Sequence, residues 1–113
     1  MEKKFRLPKD FAIKWIEALR SGEYKQGMVS LFKNDSYCCM VVAGRVCGMS
    51  KENIKINNGT FKAFNNPKVP EELITIGYTY TPLVRKLIHL NDEEEKSFNE
   101  IADWVEQNVE FYE

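Results

Sequence analysis

The sequence lacks the features that define several large classes of protein. Its longest apolar run, residues 37–43, is too short to cross a bilayer core of about 30 Å. Sixteen basic and seventeen acidic residues give a net charge of -1, so no field of one sign attracts extended nucleic acid or anionic lipid. The six glycines are scattered and form no phosphate-binding loop. We therefore expect neither a membrane nor an extended nucleic acid as partner.

Cysteine is also scarce. The chain has three cysteines, two of them adjacent, and this odd set is not typical of a disulfide framework. We expect free thiols, a reducing compartment and a cytoplasmic location. Residues 1–8 are charged and no apolar segment follows them, so they do not resemble a secretory signal. The 113 residues fit a single domain, which we predict over residues 1–113.

Amphipathic helices are predicted near both ends. Over residues 8–21 the apolar side chains recur at helical spacing, Asp10 complements the positive end of the helix dipole, and Gly22 supplies a stop. The final helix begins at Ser97, which can form a capping box with Glu100. Its predicted apolar stripe consists of Phe98, Ile101, Ala102, Val105 and Val109.

The middle of the chain leaves alternatives open. Valines in residues 37–49 favour a strand, whereas the unbroken apolar character also suits a buried helix. One solution is a hairpin of residues 28–33 with residues 37–42, and the other is a short strand followed by a buried helix. Residues 83–90 are either a short helix or a strand, and residues 70–73 can begin one helical turn.

The pair Asn58-Gly59 is the clearest strand signal. It suits a two-residue turn with positive φ, and alternating segments flank it, so we predict a β-hairpin there. The predicted fold class is α+β. We expect a single domain with amphipathic N- and C-terminal helices packed on a small antiparallel sheet that contains this hairpin.

The three thiols and the only histidine are the candidate catalytic or metal-binding residues. A histidine near a thiol lowers the thiol pKa and produces the nucleophilic thiolate. However, the cysteines lie in the most apolar stretch, which favours packing, and their spacing lacks the separated pairs of zinc sites. We predict no metal and no cofactor. A small cysteine-dependent hydrolase or transferase is the alternative, with candidates Cys38, Cys39, Cys47 and His89.

A second group of residues combines aromatic rings with charge. Aromatic faces and cations can stack a base and neutralise a phosphate, and carboxylates can attract a cationic group. A half-buried strand and a solvated acidic loop are the more common roles of such segments. The predicted binding residues for a small nucleotide-like ligand are Tyr78, Tyr80, Arg85, Asn91 and Asp92.

Several blocks of the sequence carry a family resemblance: residues 15–26, Tyr37-Cys38-Cys39 with Cys47, Leu90-Asn91-Asp92 and residues 97–103. Together they resemble a group of small proteins encoded by tailed bacteriophages and prophages. In that group a leucine-glycine pair usually follows two adjacent cysteines, but here Met40-Val41 stands in that place, which weakens the helical interpretation of the segment. The resemblance implies a phage-type origin and a one-domain α+β fold, and it implies no catalytic residue.

Small phage accessory proteins commonly act by binding. The resemblance therefore implies a protein of the host cytoplasm that counters a host process, such as defence, by blocking a host protein or by sequestering a nucleotide-like signal. A structural or assembly protein is a further alternative, and a homo-oligomer is compatible with the sequence.

Overall fold

The computed structural model describes residues 3–27, 36–49, 56–57, 60–61, 68–74 and 80–113. These residues form helices and short strands around a shared hydrophobic core, which confirms the α+β class. A single 3-10 turn spans Glu71–Leu73, as predicted, and a π-helical turn spans His89–Glu93. The elements in chain order are β1 (Phe5–Pro8), α1 (Lys9–Arg20), β2 (Lys25–Gln26), β3 (Ser36–Tyr37), α2 (Cys39–Val46), β4 (Ile56–Asn57), β5 (Thr60–Phe61), α3 (Pro82–Ile88), α4 (Phe98–Asn108) and β6 (Val109–Tyr112).

The described strands pair two by two. β4 and β5 are antiparallel with Ile56 opposite Phe61, which confirms the predicted hairpin, while the Asn58-Gly59 turn itself lies outside the described residues. β2 pairs with β3 in parallel. β1 pairs in parallel with β6, and Phe5 is opposite Val109. This last pairing joins residues from nearly opposite ends of the sequence, and no local pattern predicts it.

The N-terminal helix is confirmed. α1 begins directly after Pro8, which ends β1, and it buries Trp15, Leu19 and their neighbours on one face. Gly22 follows the helix with φ of 77°, a left-handed conformation that glycine adopts without steric cost. α1 packs against both α2 and α4, so it lies at the centre of the helical layer.

The capping box of the C-terminal helix is also confirmed. The Glu100 N–H donates to Ser97 Oγ at 3.1 Å, and the Ser97 N–H donates to Glu100 Oε1 at 2.9 Å. The placement of Val109 on the helical stripe is wrong. α4 ends at Asn108, and Val109 has extended φ and ψ because it begins the strand that pairs with β1.

The segment with the adjacent cysteines forms a short strand followed by a buried helix. The buried helix of the second alternative is confirmed, and a strand over residues 37–42 is wrong because α2 begins at Cys39. Every side chain from Cys39 to Ala43 is fully buried, so no polar face marks the helix in the sequence. Met40 and Val41 fit inside this helix, so the departure from the usual Leu-Gly pair does not prevent it. The partner predicted in the hairpin alternative, residues 28–33, lies outside the described residues.

The helical alternative is confirmed for the segment that begins near residue 83. α3 starts after Thr81, whose hydroxyl accepts a hydrogen bond from the Val84 N–H at 3.1 Å and donates one to the backbone oxygen of Glu72 at 2.7 Å. The chain then passes directly into the π-helical turn.

A buried side-chain amide links this turn to the rest of the core. Asn91 is 3% exposed. Its Oδ1 accepts from the Cys39 N–H and from Gln26 Nε2, both at 3.2 Å. Its Nδ2 donates to the Gly27 oxygen at 2.9 Å and to Asp92 Oδ1 at 2.8 Å. Asn91 therefore connects the N-terminus of α2 and the segment of β2 to the π-helical turn.

Replacing Asn91 should destabilise the fold strongly. Asn91→Ala leaves the buried Cys39 N–H and Gly27 carbonyl without their partner, and we expect a loss of about 3 kcal/mol in the free energy of unfolding. Urea denaturation followed by far-UV circular dichroism measures this loss. Asn99→Ala is the matched control, because Asn99 is exposed on α4 and should change stability by less than about 0.5 kcal/mol. Equal stability of the two variants would contradict the structural role of Asn91.

Candidate ligand-binding site

The thiols are placed as core side chains. Cys38 is 1% exposed and Cys39 is fully buried, while Cys47 is half-buried. Burial raises the pKa of Cys38 to about 12 and the pKa of Cys47 to about 11, and it raises the pKa of Cys39 well above its ordinary value. The thiolate that a cysteine nucleophile requires is therefore disfavoured at all three positions.

The His89 side chain is exposed on the π-helical turn and faces carboxylates. Its Nδ1 is 2.7 Å from Glu93 Oε2, and its Nε2 is 3.2 Å from Glu94 Oε2. Neither ring nitrogen is bonded to a thiol, so the cysteine-histidine pair of the enzymatic alternative is not assembled. Within the ranges that the structure describes, no group of three histidine, cysteine or acidic side chains is placed to hold a metal ion.

The predicted binding residues do not form one surface. Asn91 is inside the molecule and its amide is fully hydrogen-bonded, which gives it a structural role and not the predicted contact with a ligand. Asp92 accepts from this amide and is partly buried. Arg85 is exposed on α3, Tyr80 is half-buried against the core, and Tyr78 lies outside the described residues.

Two adjacent surface hollows lie beside β1. Lys4 and Phe5 line both of them, and their volumes of about 530 and 670 Å³ fall within the usual range for small-molecule sites. The Glu72 hollow is lined by Lys4, Phe5, Arg6, Glu72, Thr81, Pro82 and Leu83. The Trp104 hollow is lined by Lys3, Lys4, Phe5, Lys86, Trp104, Gln107 and Asn108.

The local sequence explains why β1 presents these side chains. Leu7 is fully buried and anchors the strand in the core, and the alternation of a strand turns Arg6 towards solvent. The Phe5 ring packs against Trp104 of α4 with 5.8 Å between ring centroids and a 49° angle between planes. Both rings are half-buried, so the strand and the helix together form an aromatic wall.

The hollows concentrate positive charge on a protein that is nearly neutral. Lys3 Nζ donates to the Glu106 backbone oxygen at 2.8 Å, and this contact leaves its charge uncompensated. Lys4 has no ion pair within the described part of the chain. Among the described lining residues Glu72 supplies the one carboxylate, and the cations are Lys3, Lys4, Arg6 and Lys86.

Glu72 is held by a neighbouring tyrosine. The Tyr112 hydroxyl donates to Glu72 Oε2 at 2.6 Å, and this hydrogen bond raises the pKa of Tyr112 to about 12. The guanidinium of Arg6 lies 4.6 Å from the centre of the Tyr112 ring. The other carboxylate oxygen, Glu72 Oε1, is buried and has no hydrogen-bond partner among the described residues.

Sequence reasoning missed this site. The local sign of the site in the sequence is the short basic and aromatic stretch Lys3-Lys4-Phe5-Arg6, and a stretch of this kind does not by itself predict a binding site. No spacing relates it to Glu72 or Trp104, because the parallel pairing of β1 with β6 brings these residues together.

The fold and the hollows define an α+β protein with a cationic, aromatic surface site. The chain belongs to the family described as Domain of unknown function (DUF8296), which matches residues 8–69. No curated protein and no solved structure matches the chain. Every described residue that lines the two hollows lies outside the matched range, so family membership does not inform this part of the site. None of the helices in the described ranges has the length and apolar character needed to cross a membrane.

The raised thiol pKa values predict slow alkylation. With iodoacetamide near pH 8, we expect native Cys47 to react about a hundredfold more slowly than it does in the urea-unfolded protein, because so little thiolate is present. Its rate should increase about tenfold per pH unit up to pH 10, while Cys38 and Cys39 react only after unfolding. Peptide mass spectrometry measures each site. Rapid labelling of any thiol in the native protein at neutral pH would restore the enzymatic alternative.

Proposed function

We propose that the chain is a phage-type accessory protein that binds a nucleotide-like anion in the host cytoplasm and so counters a host process such as defence. The observation that carries this proposal is the cluster of cations around the aromatic wall of Phe5 and Trp104. The resemblance to small phage proteins supplies the biological setting. The sequence left two modes of binding open, blocking of a host protein and sequestration of a small signal. We choose sequestration because the cluster suits a small anion.

The aromatic wall suits a planar base. Stacking of a base on an aromatic side chain contributes about 1–3 kcal/mol, and it tolerates different bases because each has a π face. Trp104 is half-buried, so it retains exposed ring surface while α4 holds its position. A base that packs against this wall, in either of the hollows that Phe5 lines, would therefore meet a ring that is already oriented.

The cations suit phosphate groups. Lysine ammonium groups form charge-assisted hydrogen bonds with phosphate oxygens, and Lys4 has no competing carboxylate within the described residues. Lys86 Nζ is 3.8 Å from Glu94 Oε2. At this separation the partly exposed ion pair is weak, so a phosphate can compete with Glu94 for the ammonium group. A polyanion would gain from several of these side chains at once.

The described surface supports a small ligand better than a host protein. Protein interfaces depend on exposed aromatic or large aliphatic anchors. Among the described residues the large hydrophobic side chain that is exposed is Ile13, at 42%. The enzymatic alternative is weakened by the buried thiols and the separate engagement of His89.

Titration with nucleotides tests this proposal. We expect at least one of the four ribonucleoside triphosphates to change the tryptophan fluorescence at low ionic strength. The change should come from Trp104, since Trp15 is fully buried, and Trp104→Phe should remove it. Lys4→Glu should weaken binding by about tenfold or more, because it replaces an attraction to phosphate with a repulsion, and added salt should reduce this difference.

Lys14→Glu is the matched control. Lys14 is exposed on α1 and lines neither hollow, so this variant has the same net charge as Lys4→Glu but should bind as the wild type does. The proposal is wrong if none of the four triphosphates binds, or if both charge reversals weaken binding equally.

A further inference from the structure

The unpartnered carboxylate oxygen of Glu72 carries a further inference, which rests on the proposed function. Glu72 Oε1 is buried, lies in a residue that lines the Glu72 hollow and accepts no hydrogen bond among the described residues. A buried charged acceptor without a donor is costly, and such groups in native proteins require an explanation. Because Oε1 has almost no accessible surface, an N–H donor of a ligand in the hollow would satisfy it once the carboxylate turns about the hydrogen bond from Tyr112.

Charge restricts the kind of donor. An ammonium or guanidinium ligand would satisfy a carboxylate, but it would also approach Lys4 and Arg6 in the same hollow. A ligand that is anionic overall and carries neutral N–H groups meets both requirements. A nucleotide has this combination, because its phosphates carry the charge and its base carries the donors.

The apolar part of the hollow suits a base. Phe5, Pro82 and Leu83 contribute to its lining, and Leu83 is held in the core at 3% exposure. Phe5 and Pro82 keep accessible surface and can cover the faces of a flat ring while its edge meets Glu72. Lys4 lines both hollows, so it can reach phosphates attached to a base in the Glu72 hollow.

The four common bases differ in the edge that they present to a carboxylate. Guanine has two adjacent donors, N1–H and the N2 amino group, and both can point at carboxylate oxygens. Adenine and cytosine place a ring-nitrogen acceptor beside their amino group, and uracil flanks its single N–H with two carbonyl oxygens. A carboxylate therefore repels part of the edge of each base except guanine.

We propose that the Glu72 hollow is a guanine subsite in which Glu72 accepts hydrogen bonds from N1–H and the N2 amino group. Oε1 accepts one of them, and Oε2 accepts the other beside the Tyr112 hydroxyl. Tyr112 is a positioning residue, because its hydroxyl fixes the carboxylate at 2.6 Å and Arg6 covers its ring. The preferred ligand is a guanine nucleotide with more than one phosphate.

Separate titrations with GTP, ATP, CTP, UTP and inorganic triphosphate test this assignment. We expect the wild-type protein to bind GTP about tenfold or more tightly than the other nucleotides. Isothermal titration calorimetry measures all five ligands with one readout. Inorganic triphosphate separates affinity for phosphate from recognition of the base.

Glu72→Gln supplies the sharpest variant. The glutamine oxygen can keep the hydrogen bond from Tyr112, so its amino group takes the position of Oε1 and presents a donor to guanine. We expect GTP binding to fall about tenfold or more while ATP binding is unchanged or improves. Glu71→Gln, an exposed neighbour in the same turn that lines neither hollow, is the matched control and should keep the preference for GTP.

The outcomes separate this inference from the proposed function. If all nucleotides bind equally and Lys4→Glu still weakens them, the guanine subsite is wrong and nucleotide binding stands. If none of the five ligands binds, both are wrong. Should Glu72→Gln fail to fold in circular dichroism, Tyr112→Phe replaces it, and we then expect a smaller preference for GTP with unchanged affinity for inorganic triphosphate. A preference for GTP that survives these substitutions overturns the role of Glu72.

Discussion

The buried amide of Asn91 is the interaction on which the described core depends. Its oxygen accepts from the first turn of α2 and from Gln26, and its nitrogen donates to the chain beside β2. Gln26 continues the network, because its Oε1 accepts from the Phe98 N–H at the start of α4 and its Nε2 donates to the Lys96 oxygen at 2.7 Å. A buried polar group is stable only when its partners are all in place. The network therefore fixes the relative positions of two helices and a strand that apolar packing alone would leave free to shift.

The parts of the fold that follow local rules were predictable. α1 has helical periodicity with a glycine stop, and Ser97 with Glu100 defines the start of α4. α2 was only one of two alternatives, because a helix buried on every side has no polar face and its valines also suit a strand. The pairing of β1 with β6 was not predictable, since parallel pairing leaves no turn signal in the sequence. Val109 fits the helical spacing of the α4 stripe, but its pairing with Phe5 places it in a strand.

The candidate site was less predictable than the fold, because it too depends on contacts between residues that are far apart in the sequence. Sequence patterns show which kinds of side chain lie near one another along the chain. The burial of the cysteines was predictable in this way, because their neighbours in the sequence are apolar. A lone polar residue such as Asn91 has the same appearance in sequence whether it contacts a ligand or completes a core. The two hollows beside β1 together depend on residues from three distant segments, around positions 5, 72 and 104. Only the tertiary contacts bring a carboxylate, a tryptophan and several cations to one place.

The parallel strand at the edge of the fold has a consequence for biosynthesis. The strand that pairs with Phe5 and Leu7 is made about a hundred residues after them. Until then the apolar side of β1 has no permanent cover, and such distant contacts form slowly because closing a long loop costs entropy. The surface around Lys4 and Trp104 consequently forms only after α4 and β6, which complete it, have been made. A nascent chain would hold α1, α2 and α3 before it acquired any ability to capture a ligand.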